Sequence, residues 1–368
     1  MVDARGGTFQ PDYVIPPGET LRETLEAIGM PQAELARRAE LSTKHVNQII
    51  QGQAPITPET AVALERVTGV PARIWNSLEA NFQAQRIRVA QRGRLDPADL
   101  AWLRRFPIAD LVRRGAIRGS NDPRLLYEQL VGFFGVASRS AWEKVWISPR
   151  AAFRQSAAFK VDEYAVAAWL RLGELEASHI DTQPFDRSAF RSALDEIRGL
   201  MISDPGEFYP KMVELCARAG VALVLVKEIK GTRASGASRW LSPNKALIQL
   251  SLRYRWEDHF WFSLFHEGGH IYLHGKRRIF VDLPSDAPDE MASDGELESQ
   301  ANEFAADLLI PPEAAGRLGD LESRTEILDF ASELKIPPGI VVGRMQREGH
   351  LGWHQHNDLR RRFVLVES

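Results

Sequence analysis

Between Glu257 and His274 runs an apolar stretch in which Phe260, Trp261, Leu264 and Phe265 recur at helical spacing, and within it stands His266-Glu267-Gly268-Gly269-His270. No other segment limits the fold as sharply. Side chains four apart on a helix lie one above the other, so both imidazoles can reach a single Zn²⁺ at about 2.0 to 2.1 Å. Glu267 projects beside them, placed to take a proton from an attacking water. The two glycines each cost about 1 kcal/mol against alanine inside a helix, so something must approach that backbone closely. A catalytic zinc commonly takes three protein ligands and leaves one position open. A second element must therefore bring the third ligand to this helix.

Spacing narrows where that ligand lies. Leu273 and Lys276 stand where a metzincin needs Gly and His, which excludes that pattern. A thermolysin-like arrangement needs a Glu on a later helix, often with a polar residue four positions on that orients a histidine. Glu298-Ser299-Gln300-Ala301-Asn302 meets this requirement. Glu298 is the expected third ligand, and Asn302 the expected partner of a ligating histidine. Glu296 competes but lacks the Asn four residues later. His274 continues the four-residue series and either binds metal or caps the helix before Gly275, the cap being the plainer reading. His259 is expected to be structural, and His350, His354 and His356 to belong to a surface tail. Nothing in the sequence positions His350 or Tyr272 to stabilise an oxyanion.

Upstream of this helix the hydrophobic period changes. Val221 to Val226 and Ala246 to Leu250 are continuous apolar runs with β-branched residues and read as buried strands. Ser235 to Leu241 reads as a third, exposed strand. An extended peptide can add to such an edge through backbone hydrogen bonds, so Gly236, Ala237, Ser238, Arg239 and Trp240 are the expected substrate edge. The fold class is mainly α with a small β-sheet, α+β.

At the other end of the chain, Leu21, Leu25 and Ile28 form an amphipathic stripe that stops at Gly29. A second helix opens at Pro31, with Ala33, Leu35, Ala36 and Ala39 as its inner positions. Ser42 is an N-cap candidate for a third helix with Val46, Ile49 and Ile50 inward, ending at Gly52. Two short helices joined by a tight turn place the second one in a major groove. Its outward residues Thr43, Lys44, Asn47, Gln48 and Gln51, together with Gln32 on the helix before, are amide, hydroxyl and cationic groups suited to base edges and phosphates. Further helices at Pro58 to Thr68 and Pro71 to Gln83 make five. The turn carries Glu40 in place of glycine, and a left-handed conformation there costs on the order of 1 kcal/mol. Dimerisation or partner docking without DNA is the alternative use of this domain.

With 368 residues and roughly 150 per domain, two or three domains are expected. The net charge of −3 conceals an uneven distribution. Residues 1–85 sum to −3, 86–118 to +6, and 282–303 to −8. The basic stretch reads as a connector able to supply charge to a DNA reader or as a solvated linker face. The acidic one reads as a loop favouring a basic partner or as a solvated helix start. Between Asp122 and Gly220, helix follows helix, and Trp142, Trp146, Phe153, Phe159, Trp169 and Phe190 are expected in the core. The single Cys216 excludes an intrachain disulfide and reads as a buried thiol. No run approaches the roughly 18 apolar residues of a membrane span, and Met1 to Pro17 lacks the order of a signal peptide. A cytoplasmic protein without membrane contact is expected.

Two resemblances sharpen these expectations. Residues 17 to 82, with Gln32-Ala33-Glu34-Leu35-Ala36-Arg37-Arg38, Pro55-Ile56-Thr57-Pro58 and Trp75-Asn76-Ser77-Leu78-Glu79-Ala80-Asn81, resemble XRE-class helix-turn-helix proteins, more narrowly HigA-like antitoxins. From about Val221 to Pro312, the His-Glu-Gly-Gly-His motif with Glu298-Ser299-Gln300-Ala301-Asn302-Glu303-Phe304-Ala305-Ala306-Asp307-Leu308-Leu309-Ile310-Pro311 resembles the ImmA/IrrE metallopeptidases. The second resemblance implies a minimal gluzincin-like fold, a bound zinc, and cleavage of a specific protein, commonly a DNA-binding repressor.

The expected organisation is a flexible arm at 1–16, a five-helix helix-turn-helix domain at 17–85, a basic connector and helical region at 86–220, a zinc metallopeptidase core at 221–315, and a helical finish at 316–368 with no assigned chemistry. The expected function is a DNA-binding regulator, homodimeric on double-stranded DNA, whose zinc endopeptidase cleaves a repressor or a toxin–antitoxin partner. In its mechanism Glu267 takes the proton of the attacking water and passes it to the leaving amine. The alternatives are a repressor or antitoxin whose second domain is a sensor or partner platform without turnover, and self-cleavage.

Overall fold

Helices α1 (Pro17–Ala27), α2 (Gln32–Arg38), α3 (Thr43–Ile50), α4 (Pro58–Thr68) and α5 (Ala72–Gln91) build the amino-terminal unit. The computed structural model describes residues 15–91, 95–147, 162–274, 279–282 and 295–364. The arm at 1–14, Phe153, Phe159 and the acidic residues 283–294 lie outside them. Leu21 and Leu25 of α1, Leu35 and Ala36 of α2, and Val46 and Ile49 of α3 are buried together against Trp75 of α5. Each large side chain so withdrawn contributes about 1.5 to 3 kcal/mol. Ser42 caps α3, its Oγ accepting from His45 N at 3.1 Å. Glu40 holds the turn at φ 55°. Buried Glu79 accepts from Ile56 N at 3.0 Å and from Gln83 Nε2 at 2.6 Å, tying α5 to the loop before α4. Ile28 departs from the expected stripe: it is the C-cap of α1 and 47% exposed.

Contacts divide the chain between Asp96 and Pro97, so α5 runs past the boundary expected at residue 85. The second unit begins with α6 (Pro97–Leu103), α7 (Ile108–Arg113), α8 (Pro123–Phe134) and α9 (Arg139–Trp142). Here the basic stretch proves to be two-sided. Arg104, Arg105, Arg113 and Arg118 are exposed, whereas Trp102, Leu103, Phe106 and Leu111 are buried. Edge-on packing of Trp102 on Phe106, with centroids 4.7 Å apart, and stacking of Trp142 on Tyr164 at 4.9 Å make this an aromatic core. A solvated linker would not bury such area.

Next come α10 (Glu163–Ser178), α11 (Arg187–Gly199) and α12 (Pro205–Arg218), then β1 (Val221–Leu225), β2 (Gly236–Ser242) and β3 (Lys245–Leu250). The middle helices are continuous with the sheet: Trp169 of α10 donates from Nε1 to Val226 O at 2.9 Å and accepts at its own O from Gln249 Nε2 at 2.8 Å. Cys216 is fully buried, and burial pushes its thiol up to about 12, which leaves it inert as expected. The helix α13 (Glu257–Leu273) follows, then β4 (Ile279–Asp282), α14 (Gly295–Leu309), α15 (Pro312–Ala315), α16 (Arg324–Glu333) and α17 (Pro338–Arg347). The closing arginines anchor the start of α13. Arg360 Nη2 lies 2.7 Å from Asp258 Oδ2, and Arg361 Nε 2.6 Å from the fully buried Glu257.

The four strands lie in the order β1-β3-β2-β4, with β1 parallel to β3 and the other neighbours antiparallel. This corrects the expected exposed edge. Gly236, Ala237, Ser238 and Arg239 pair with Asp282, Val281, Phe280 and Ile279, so those four residues of β2 are interior to the sheet and buried. Trp240 lies past the end of β4 and is half-buried. Arg239 faces Glu174 at 2.5 Å and the ring of Trp146 at 5.3 Å, a core ion pair rather than a substrate contact.

Candidate metal centre

The four-residue spacing on α13 brings His266 and His270 together as expected, with their Nε2 atoms 3.0 Å apart. From α14, Glu298 places Oε2 at 3.2 Å from His266 Nε2 and Oε1 at 3.5 Å from His270 Nε2. Tetrahedral bonds of 2.0 to 2.1 Å set ligand atoms about 3.3 Å apart. The three donors therefore already stand at the spacing a zinc ion imposes. Among the described residues they form the one group of His, Cys, Asp or Glu with donor atoms all within 4.8 Å of one another.

The paired glycines explain how α14 comes so near. A Cβ on Gly269 would lie 3.1 Å from Phe304 Cδ1 and 3.3 Å from Ala301 Cα, both on α14. One on Gly268 would lie 3.3 Å from Leu194 Cδ2 of α11. The helix interior thus gives up propensity in return for contact on two sides.

Electrostatics leave the donors in ligand form. Burial lowers His270 to about 4, and the nearby Glu298 carboxylate offsets this only in part. The ring is therefore neutral near pH 7 and offers a lone pair. Burial alone would raise Glu298, but hydrogen bonds with His266 and His270 outweigh it and hold the carboxyl at about 2. Two imidazoles and one carboxylate suit zinc, which takes N and O donors.

Glu267 is fully buried. It lies against the first residue of β2: a Cβ on Gly236 would stand 2.7 Å from Glu267 Oε1 and 2.8 Å from its Cγ. Gly236 therefore matters to the site, although for closeness rather than as an edge. Phe280 of β4 stacks on His270 with centroids 3.9 Å apart and planes at 12°, and Phe262 stacks on His266 at 6.1 Å. Phe280 is one residue of a four-residue strand and gave no signal in the sequence.

Asn302 does not occupy its expected place. It sits half-buried one turn beyond Glu298, with no hydrogen bond to either ligating histidine. The Nδ1 of His270 instead meets His274 Nδ1 at 3.0 Å, and His274 Nε2 meets Gln300 Oε1 at 3.2 Å. A single turn of helix carries His274 beside His270. Glu296, the competing ligand, lies outside the donor triangle and accepts from Gln300 Nε2 at 3.4 Å.

On the amino-terminal unit, Thr43, Lys44, Asn47 and Gln51 are exposed, and Gln48 and Gln32 half-buried, opposite the inward Val46 and Ile49.

Comparison with known proteins finds one family match within each unit. A helix-turn-helix family profile matches residues 21–75, and the profile of an IrrE N-terminal-like domain matches residues 226–346. An uncharacterized HTH-type transcriptional regulator, YddM, of Escherichia coli is 30% identical over 63 residues, 17% of this chain and 67% of that protein. Virulence-associated protein I of Dichelobacter nodosus is 35% identical over 69 residues, 18% of this chain and 64% of that protein. The chain thus spans about two thirds of the length of these relatives. Among solved structures, the Pseudomonas aeruginosa antitoxin HigA with the higBA promoter is similar at 29% identity, covering 23% of this chain and 98% of that one, with a TM-score of 0.21. An addiction module antidote protein of a HigA family from Coxiella burnetii is similar at 25% identity, covering 22% and 97%, with a TM-score of 0.20.

Proposed function

This chain joins a helix-turn-helix domain to an IrrE N-terminal-like domain of a metallopeptidase-like family, and from that premise we propose that it is a DNA-binding regulator carrying a zinc-dependent endopeptidase. Its substrate in this reading is a specific protein, a repressor or a toxin–antitoxin partner. The observation that carries the reading is the convergence of His266, His270 and Glu298 beside a fully buried Glu267.

Zinc held by those three residues would supply Lewis acidity toward a peptide carbonyl and toward water. The chain's own residues do the rest. Glu267 accepts the proton of the attacking water at a carboxylate oxygen and returns it to the leaving amine nitrogen. Gly236, lacking a side chain, leaves room for that carboxylate. Phe280 and Phe262 cover the imidazole faces and keep bulk water from the ligands. Thr43, Lys44, Asn47, Gln48 and Gln32 face outward for base edges and phosphates.

One observation favours a second reading. Because β4 lies along β2 and Phe280 covers His270, the chain's own strand takes the place next to the metal position that an added peptide would use. A metal-holding partner platform without turnover would look the same. Glu267→Gln separates the two. Wild type should cleave its co-expressed partner, and the variant should lose about 10² to 10⁴-fold in rate at equal zinc content. Wild type and variant leaving every candidate partner equally intact, with zinc confirmed bound, would sink the endopeptidase.

A further inference from the structure

The two ring nitrogens of His270 face different neighbours. Nε2 points at the donor triangle, 3.0 Å from His266 Nε2. Nδ1 points away from it, 3.0 Å from Nδ1 of His274. His274, the C-cap residue of α13, in turn places Nε2 at 3.2 Å from Gln300 Oε1, and Gln300 Nε2 donates to Glu296 Oε1 at 3.4 Å. Four side chains thus stand in one line from the metal position to the surface, where Glu296 is exposed.

With a metal in the donor triangle in place of the protons that the imidazoles share with the Glu298 carboxylate, the hydrogen-bonding groups of the line set one order of protons. The Glu296 carboxylate accepts and cannot donate, so the NH₂ of Gln300 faces it and the amide oxygen faces His274. An amide oxygen also accepts, so His274 carries its proton on Nε2 and its Nδ1 is a bare lone pair. That lone pair needs a donor, which is the Nδ1–H of His270. An imidazole protonated on Nδ1 keeps its lone pair on Nε2, the nitrogen that faces His266 and Glu298.

We propose that His274, Gln300 and Glu296 form a proton-ordered chain that fixes His270 in its metal-binding tautomer, with His274 as the positioning residue. The proposal rests on the reading of His266, His270 and Glu298 as a zinc site. It gives α14 two grips on that site: Glu298 supplies a ligand directly, and Gln300, two residues on, orients another through His274. Partners of this kind, which receive the second N–H of a ligating histidine, typically account for 10 to 100-fold in metal affinity.

The test uses the full chain and zinc alone, with affinity read by competition against a chromogenic chelator and folding checked on the metal-free proteins by thermal melting. His274→Ala should weaken zinc binding about 10 to 100-fold. Gln300→Met keeps the volume and removes the acceptor, and should weaken binding by a smaller factor in the same direction. His274→Gln offers an acceptor and a donor in one side chain and should recover part of the loss. Asn302→Ala, at the position the sequence had favoured, should leave affinity within about twofold. If His274→Ala and Gln300→Met bind zinc as tightly as wild type, or His274→Gln binds no better than His274→Ala, the proton-ordered chain is overturned while the zinc site stands. A wild-type chain that takes up no zinc removes the site itself, and the chain with it.

Discussion

The helix-turn-helix unit and the metal unit use burial in opposite ways. In the first, the residues offered for function are outside: Lys44, Asn47 and Thr43 are exposed, and the core below them is Leu, Ile, Val and Trp. In the second they are inside, with His266, Glu267 and His270 at 3%, 0% and 2% exposure. An exposed contact residue can be changed without touching the fold. A buried acid and two buried imidazoles cannot be, because they are part of the core. Gly236, Gly268 and Gly269 stand where neighbouring elements pass close to these residues.

Glycine substitutions at one position in each unit make that difference measurable, and carry the largest expected effects. A Cβ on Gly18 of α1 would stand 2.2 Å from Ile49 O and 2.4 Å from Ile50 Cα. Both are backbone atoms of α3, which can yield only by moving the helix. Gly18→Ala should cost about 3 kcal/mol. Amide hydrogen exchange over residues 17–82 should quicken about a hundredfold, since that factor tracks local stability, while zinc uptake stays the same. Unchanged exchange would show that α1 and α3 are not held as closely as this.

At Gly236 the obstacle is the buried Glu267 side chain, its Cγ as well as Oε1, rather than backbone. Gly236→Ala should therefore cost less stability than Gly18→Ala, keep its zinc, and misplace the base. Displacements of about 1 Å can cost on the order of a hundredfold in rate, so partner cleavage should fall by ten to a hundredfold. Full turnover in this variant would mean that Glu267 does not work from the place it occupies here.

The two units also differ in how far they could be read before folding. Apolar spacing at Leu21, Leu25, Leu35, Val46 and Ile49, the Ser42 cap and the strained Glu40 are local features, and each stands where the sequence put it. His266, His270 and Glu298 were legible because covalent spacing on helices sets two of them and a motif marks the third. What escaped was whatever depends on a distant partner. Ile279 to Asp282 is too short to show a period, yet it turns β2 from an edge into an interior strand. His274 and Gln300 lie 26 residues apart and meet only because Gly269 lets α14 against α13. Asn302 fitted the spacing, yet the hydrogen-bond partner of His270 Nδ1 is His274.

A change on the outer face of the first unit should alter DNA binding at constant fold and constant zinc. Lys44→Ala with Asn47→Ala removes one phosphate-suited charge and one base-suited amide. Affinity for an operator fragment should fall about tenfold to a hundredfold, consistent with roughly 1 to 3 kcal/mol for a base contact, and the salt dependence should flatten by about one ion. The proper comparison is a titration at several salt concentrations. If wild type fails to bind even at low salt, the outward residues serve docking alone.

The smallest effect concerns the turn itself. Glu40 is exposed and sits at φ 55°, where an L residue is strained by on the order of 1 to 2 kcal/mol and glycine is not. Part of that gain is offset because glycine makes the unfolded chain more disordered, by about 0.4 to 1 kcal/mol. Glu40→Gly should thus stabilise the unit by about 0.5 to 1 kcal/mol, slowing hydrogen exchange over residues 17–82 severalfold. The same change removes one acid from a region whose charge is −3, which by itself would strengthen DNA binding at low salt. Glu40→Ala removes the same charge but keeps the Cβ. If the glycine variant alone slows exchange while both variants tighten low-salt binding equally, backbone strain and charge act separately at this turn. Equal exchange rates in the two variants would show that the left-handed residue carries no strain worth relieving.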